Sequence, residues 1–216
     1  ETDITASGGT ISNFAGSGTT YTATFTPTDD STDNGEISVS ASAFSDAAGN
    51  ENDSAGSITL PVDTVIPTIG ITSDVTSLKA GESAVLTFTL SEESTDFVAT
   101  DITASGGTIS NFAGSGTTYT ATFTPDESSA SDGVINVSAS AFSDAAGNSN
   151  DSAGSITLPV DTIIPTIGIT SEVTSLKAGE SAVLTFTLSE ESTDFVATDI
   201  TASGGTISNF AGSGTT

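Results

Sequence analysis

The chain repeats itself with a period of 98 residues, and this period constrains the fold more than any other feature. The segment TDITASGGTISNFAGSGTT begins at Thr2, again at Thr100 and again at Thr198. Aligning residues 1–98 on 99–196 leaves twelve differences, most of them in the stretch 28–38. Solenoid repeats are about 20–50 residues long, whereas a unit of this length falls within the size range of an independent domain. The copies are therefore predicted to be separate globular domains in series.

Two prolines indicate where one copy ends and the next begins. Pro67 and Pro165 each follow Asp-Thr and two aliphatic residues, and proline restricts the residue before it to extended conformations. The predicted domains are a complete copy over 64–161, the rear part of a preceding copy over 1–63, and the front part of a following copy over 162–216. The chain is then expected to begin and end inside a domain, as a window cut from a longer array.

Composition excludes several classes of function. Twenty-eight acidic residues stand against two lysines, which leaves a net charge of −26. Nucleic acid and anionic lipid headgroups are therefore poor partners, while cations are natural ones. No apolar run approaches the ~20 residues of a membrane helix, so this segment is not expected to insert into a membrane. Without His, Cys or Arg the chain cannot form the usual nucleophilic triads, and no enzyme activity is expected.

Alternating apolar and polar residues predict an all-β fold. Ala84, Leu86, Phe88 and Leu90 alternate with Val85, Thr87 and Thr89, which is the pattern of strands with one buried face. The same alternation and the turn signals between its runs predict seven strands. These are A (68–73), B (83–90), C (101–105), D (108–113), E (117–124), F (134–142) and G (153–160). Seven short strands in about 100 residues are typical of an immunoglobulin-like β-sandwich.

The unit resembles the bacterial immunoglobulin-like repeats that occur in tandem in very large surface adhesins and biofilm proteins. The resemblance rests on DTVIPTIGITSDVTSLKAGESAVLTFTLSE, on DITASGGTISNFAGSGTTYTATFTP and on AFSDAAGN, and it covers the full period. It implies a bacterial cell-surface location and a spacer role, in which neighbouring copies of the repeat hold an adhesive tip away from the cell. It also implies calcium at the domain junctions.

Acidic and amide side chains are predicted to gather at each junction. In such a sandwich the start of strand A lies at the same end of the domain, here called its pole, as the BC, DE and FG loops. The candidate ligands at the first junction are Asp63, Glu92, Glu93, Asp96, Asp101, Asp144, Asn148, Asn150 and Asp151, and those at the second junction include Asp161, Glu190, Glu191 and Asp194. The opposite pole of the preceding copy would add Asp29, Asp30 and Asp33. Confined carboxylates repel, and a hard cation such as Ca²⁺ relieves that repulsion.

Other interpretations of the same residues remain open. The acids can instead be a solvated surface, with AAGN a simple hairpin turn. A multivalent module that binds sugar or protein weakly would need exposed aromatic residues, for which Phe97, Phe112 and Phe142 are the candidates. Finally, separate chains could assemble a filament if residues 162–216 of one completed residues 1–63 of another, although strands C and D would then be present twice.

Overall fold

The computed structural model describes residues 3–53 and 55–215. Glu1–Asp161 form one compact unit and Thr162–Thr216 form a second. The prediction of an all-β fold is confirmed, because the helical segments of the described chain are two 3₁₀ turns, η1 (Ala99–Asp101) and η2 (Ala197–Asp199). Across the described residues, we find no helix with the length and apolar character needed to cross a membrane.

The rear part of the first unit contains one three-stranded sheet and one hairpin. Its strands are β1 (Ile4–Ser7), β2 (Gly9–Ser17), β3 (Thr20–Pro27), β4 (Gly35–Val39) and β5 (Gly56–Leu60). The sheet has the order β1-β4-β5, and β2 pairs with β3 in antiparallel fashion from Gly9↔Pro27 to Ser17↔Thr20. These strands correspond to the predicted strands C to G of one copy.

The central copy is a sandwich of two three-stranded sheets. Its strands are β6 (Ile69–Ser73), β7 (Leu78–Lys79), β8 (Ala84–Ser94), β9 (Ile102–Ser105), β10 (Gly107–Pro125), β11 (Gly133–Val137), β12 (Gly154–Leu158) and β13 (Val160–Asp161). One sheet has the order β10-β8-β6 and the other has the order β12-β11-β9. A short parallel pair, β13 with β7, joins the end of the copy to its beginning.

The core of the central copy lies between these two sheets and is built from the alternating residues. Leu86 and Phe88 of β8, Phe123 of β10, and Ile135 and Val137 of β11 are fully buried. The threonines between them point away from the core, since successive side chains of a strand face opposite sides. Phe97 completes the core from the loop after β8, with its ring centroid 5.1 Å from that of Tyr119 and 5.5 Å from that of Phe142.

Several strand boundaries differ from the sequence prediction. The predicted strands D (108–113) and E (117–124) form one continuous strand, β10. Strand F was expected to reach residue 142, but β11 ends at Val137 because the amide of Asn150 takes over the pairing of the next backbone groups. Its Oδ1 accepts from the N–H groups of Ala141 and Phe142, and its Nδ2 donates to the carbonyl of Ser138. Strand B was expected to end at residue 90, whereas β8 continues to Ser94.

The second unit holds the front part, in which β14 (Ile167–Ser171) pairs with β15 (Leu184–Leu188). This pairing repeats that of β6 with β8 at positions 98 residues earlier: Ile169↔Phe186 corresponds to Ile71↔Phe88. Beyond η2, residues 201–215 form no strand in the described chain. Gly214 makes an isolated bridge to Ser192, and the carbonyl of Thr215 accepts from the N–H of Leu188.

Candidate metal centre

Three of the predicted ligands converge at the junction between the rear part and the central copy. Asp63 lies in the linker, Glu92 near the end of β8, and Asp144 in the loop that follows β11. One carboxylate oxygen from each side chain lies within 4.8 Å of the other two. Residues 63 and 144 are 81 positions apart (144 − 63), so only the folding of the sandwich brings them together.

The loop SDAAGN places Asp144 through its own hydrogen bonds. Asp144 Oδ1 accepts from the N–H groups of Gly147 and Asn148 at 2.7 and 2.8 Å, and Oδ2 accepts from Asn148 Nδ2 at 2.8 Å. Burial disfavours the charge of Asp144, but these hydrogen bonds outweigh burial and hold its pKa below the usual range. The same loop forms in the rear part around Asp46 and Asn50. The local sequence is therefore sufficient to build it.

Asn148 connects this loop to the linker, and Thr64 connects the linker to the rear part. Asn148 Nδ2 donates to the main-chain oxygen of Asp63 at 3.1 Å. Thr64 Oγ1 donates to the carbonyl of Thr28 at 2.7 Å and accepts from the N–H of Ser31 at 3.0 Å. The Thr64 N–H also donates to the carbonyl of Ser31 at 2.9 Å. The residues around Asp63 are thus hydrogen-bonded on both sides of the junction.

Glu92 is the member of the cluster that the protein itself leaves unsatisfied. Its Oε2 is buried without a hydrogen-bond partner, the one such side-chain atom among the described residues. Burial raises the pKa of Glu92, and the charges of Asp63, Asp144 and Asp30 raise it further. Its carboxyl can form a hydrogen bond with Asp144 only if it carries a proton. The site therefore favours either a proton or a cation at this position.

The donor set is that of a hard cation. Ca²⁺ takes six to eight oxygen ligands, carboxylates among them, at about 2.3–2.6 Å. Asp63, Glu92 and Asp144 offer three carboxylate oxygens within 4.8 Å of one another, and the unpartnered oxygen of Glu92 is a ligand that no protein group uses. These three residues are therefore candidates to hold such an ion, which would need further oxygens to complete its coordination.

The structure places several other predicted ligands of the first junction in hydrogen bonds of their own. Asp96 accepts from Ser94 Oγ and from both the N–H and the Oγ of Ser143. Burial opposes its charge, yet the hydrogen bonds from Ser143 and Ser94 keep its pKa below the usual range. Asp101 accepts from the N–H of Val98 at 2.8 Å at the start of η1.

Asn150 is fully buried and holds the segment after β11, and its amide oxygen already accepts from two backbone N–H groups, those of Ala141 and Phe142.

The remaining candidates lie outside the three-residue cluster. Glu92 and Glu93 were placed in a loop, but both belong to β8, whose alternation turns Glu93 to an exposed position beside Gly116. Asp151 is exposed, and Asp161 lies in β13 opposite Lys79. In the second unit Glu190 is partly buried, Glu191 is exposed beside Gly214, and Asp194 accepts from Ser192 Oγ at 2.8 Å.

Sequence reasoning missed Thr64 and Ser143 as organising residues. Both are hydroxyl residues in a chain rich in Ser and Thr, so their residue type does not distinguish them. Their position does distinguish them, since Thr64 directly follows the linker aspartate and Ser143 directly precedes Asp144. The sequence signal that could have identified them is a hydroxyl residue adjacent to a candidate ligand.

The aromatic residues considered for a binding surface belong to the core instead. Phe97 and Phe142 are buried, and Phe112 packs against the same core with its ring centroid 5.6 Å from that of Phe97. Ring pairs in this tilted geometry stabilise the interior beyond their buried area. These three side chains are therefore not available as a binding platform in the central copy.

Comparison with known proteins agrees with this architecture. The profile of the bacterial Ig-like domain matches residues 1–62, 63–160 and 161–216. No curated protein matches. Among solved structures, the chain is similar to FdeC, described as a broadly conserved Escherichia coli adhesin, with 20% identity and a TM-score of 0.33. That match covers 86% of this chain and 60% of the other. Because the family profile covers the whole chain in three successive segments, the chain belongs to the bacterial Ig-like domain family.

Proposed function

We propose that this chain is part of a non-enzymatic spacer of a bacterial surface adhesin, in which calcium stiffens the junctions between Ig-like domains. The observation that carries the proposal is the cluster of Asp63, Glu92 and Asp144, whose carboxylate oxygens lie within 4.8 Å of one another at a junction. Near-identical copies suit a spacer, because repetition supplies length, whereas recognition requires only one good surface.

The hydrogen bonds at the junction support a stiff joint. Asn148 ties the linker to the central copy, and Thr64 ties it to the loop of the rear part. Inter-domain linkers with few such bonds bend freely, and relative domain motion is the default for domains with small interfaces. Here the linker has specific partners on both sides, so the direction of one domain constrains the direction of the next.

The carboxylates of this site destabilise the same junction, because their negative charges repel one another. Three acidic side chains meet in a partly buried position on a chain whose net charge is −26. A bound calcium ion would supply the positive charge that offsets their repulsion. Asp63, Glu92 and Asp144 would each contribute a carboxylate oxygen. Extracellular calcium modules bind with dissociation constants of about 10⁻⁴–10⁻³ M, which suits a surface protein.

The test is calcium binding and molecular length in matched variants of the 216-residue chain. Asp144→Asn removes a carboxylate oxygen from the cluster, while Asp46→Asn makes the same change in the equivalent loop of the rear part, outside the cluster. Calorimetric titration should show calcium binding to the wild type and to Asp46→Asn, with binding at this site lost in Asp144→Asn. Small-angle scattering should show a longer maximum dimension in calcium than in chelator.

The wild type should also melt at a higher temperature in calcium than in chelator. Binding to the folded state alone adds about 2.7 kcal/mol when the free ion is at a hundredfold excess over Kd. Equal melting temperatures and equal dimensions in calcium and chelator would refute calcium stiffening and leave the acids as a solvated surface.

A further inference from the structure

The loop before β4 contains the single Asn-Gly pair of the sequence, Asn34–Gly35. Asparagine is a thermolabile residue, and it is least stable before glycine, which has no side chain to hinder attack by its own backbone nitrogen. Every other asparagine of the chain precedes a larger residue. Asn34 is exposed, and its side chain forms no hydrogen bond with the described residues. Its counterpart Asp132 is also exposed in the complete central copy.

Aromatic packing keeps glycine at this position in both copies. A Cβ on Gly35 would lie 2.6 Å from ring atoms of Phe25. A Cβ on Gly133, the equivalent residue, would lie 2.5 Å from ring atoms of Phe123. Carbon atoms that are not bonded do not approach so closely, so a larger residue would displace the ring. The fold therefore fixes the glycine, and the residue before it can vary.

Asn148 shows how the same fold protects an asparagine. It precedes Ser149, whose side chain is the smallest among those that follow the other asparagines. Asn148 Nδ2 donates to Asp144 Oδ2 and to the main-chain oxygen of Asp63, so the amide group is held. The Ser149 nitrogen can reach the side-chain carbon of Asn148 only after these bonds open locally. Asn34 requires no such opening.

We propose that Asn34–Gly35 is a site of spontaneous deamidation in the folded chain. The Gly35 nitrogen attacks Cγ of Asn34, and the amide group leaves as ammonia together with the proton of that nitrogen. The new bond closes a succinimide ring. Water then opens the ring at one of its two carbonyl groups and gives aspartate or isoaspartate at residue 34. The reaction needs no enzyme or cofactor, and it turns a neutral side chain into a carboxylate.

The two products have different consequences for the loop. The fold already accepts aspartate, because Asp132 occupies the equivalent position of the central copy. The main-chain oxygens of both residues are closely packed, since a Cβ on Gly8 would lie 2.4 Å from that of Asn34, and a Cβ on Gly106 would lie 2.4 Å from that of Asp132. Isoaspartate lengthens the main chain by one carbon atom. It therefore moves either this oxygen or Gly35 out of its packed position.

The loop that carries Asn34 also holds the linker. Ser31, in the same loop, accepts from the N–H of Thr64 through its carbonyl and donates its own N–H to Thr64 Oγ1. Isoaspartate at residue 34 distorts the main chain that positions Ser31. Deamidation thus loosens the hold of this loop on the linker as the protein ages. The proposal goes beyond the spacer role and does not depend on calcium, so it can be tested in chelator.

Peptide mapping by mass spectrometry is the first measurement. The folded 216-residue chain is incubated at mildly alkaline pH in chelator, and the products at each asparagine are followed with time. Asn34 should be converted to aspartate and isoaspartate faster than Asn148 by roughly tenfold or more. Asn34→Gln, an exposed change, should remove this product. An Asn34 that stays intact, that reacts no faster than Asn148, or that reacts only after the chain is unfolded in urea overturns the proposal.

Hydrogen exchange at the Ser31 amide tests the effect on the junction. Freshly purified Asn34→Asp is the matched control, because it carries the aspartate without the longer main chain of isoaspartate. The Ser31 amide should exchange faster in the incubated wild type than in Asn34→Asp, and Asn34→Gln should keep the slow exchange of the fresh chain after the same incubation. Equal exchange in the incubated wild type and in Asn34→Asp would contradict the loosening of the loop.

Discussion

The side-chain amide of Asn148 donates a hydrogen bond to the main-chain oxygen of Asp63, 85 residues earlier, at 3.1 Å. The same amide donates to Asp144 Oδ2 at 2.8 Å. One residue therefore shapes the loop that carries a candidate ligand and ties that loop to the linker that carries another. Asn50, its counterpart in the rear part, makes the loop bond to Asp46 in an exposed position.

Replacing Asn148 should destabilise the central copy more than replacing Asn50. Asn148→Ala removes two partly buried hydrogen bonds, one of them to a carboxylate, which costs about 1–3 kcal/mol. Asn50→Ala removes an exposed bond and should cost less. Denaturant unfolding measures the difference. It can be followed by tyrosine fluorescence, which reports on Tyr119 in the core of the central copy and on Tyr21 in the rear part. Equal costs would mean that the bond to the linker contributes no stability.

Glu92→Gln should have opposite effects in chelator and in calcium. In chelator it removes a buried charge that Asp63 and Asp144 repel, so the melting temperature should rise. In calcium it removes a carboxylate ligand, so most of the increase in melting temperature that calcium produces should be lost. Glu93→Gln, exposed on the other face of β8, is the control and should leave the response to calcium unchanged. If Glu92→Gln melts below the wild type in chelator, repulsion of the Glu92 carboxylate by Asp63 and Asp144 does not destabilise the folded state.

The stability of the chain in chelator should pass through a maximum as pH changes. Glu92 has a raised pKa in the folded state, so the folded state binds more protons, and stability falls as pH rises from the usual glutamate range through that raised pKa. Asp144 and Asp96 have lowered pKa values, so the stability they contribute is lost as pH falls below the usual aspartate range. Calcium should abolish the decline on the high-pH side. Urea midpoints measured across pH, with and without calcium, check the loss of stability at low pH and the loss at high pH.

Thr64→Val should loosen the junction while leaving the fold of the central copy intact. The change removes the hydroxyl that accepts from the Ser31 N–H and donates to the carbonyl of Thr28. Hydrogen exchange at the Ser31 amide should become faster by roughly tenfold, since a lost bond of about 1.4 kcal/mol corresponds to that factor. Thr32→Val, at an exposed position of the same loop, should leave the exchange rate unchanged. An unchanged exchange rate in Thr64→Val would show that the hydrogen bond between the Ser31 N–H and the Thr64 hydroxyl is not formed.

Leu86→Ala should cost about 2–5 kcal/mol in unfolding free energy, because it leaves a cavity in a closed core. The same truncation 98 residues later, Leu184→Ala, affects a side chain that is partly exposed in the front part and should cost much less. Denaturant midpoints of the two variants provide the comparison. If both midpoints barely move, the side-chain orientation assigned to β8 is wrong.

Local residue patterns were enough to predict most strands and the core. The alternation of Leu86 and Phe88 with threonines specifies which face is buried, because side chains of a strand point alternately to its two sides. The pattern failed at residues 138–142, where Ala139 and Ala141 continue the alternation. There the amide of Asn150, distant in sequence, satisfies the backbone groups that a longer β11 would have paired.

A gathering of acids at the junction could be predicted from the sequence, since an Ig-like topology brings the linker and the loop after β11 to the same end of the sandwich. Which of these acids meet depends on the tertiary structure. Strand β8 turns Glu92 toward Asp63 and Asp144 and turns Glu93 away, and Asp96 is held by Ser143. Composition cannot separate these carboxylates, because their distances depend on strand register and on hydrogen bonds between residues far apart in the chain.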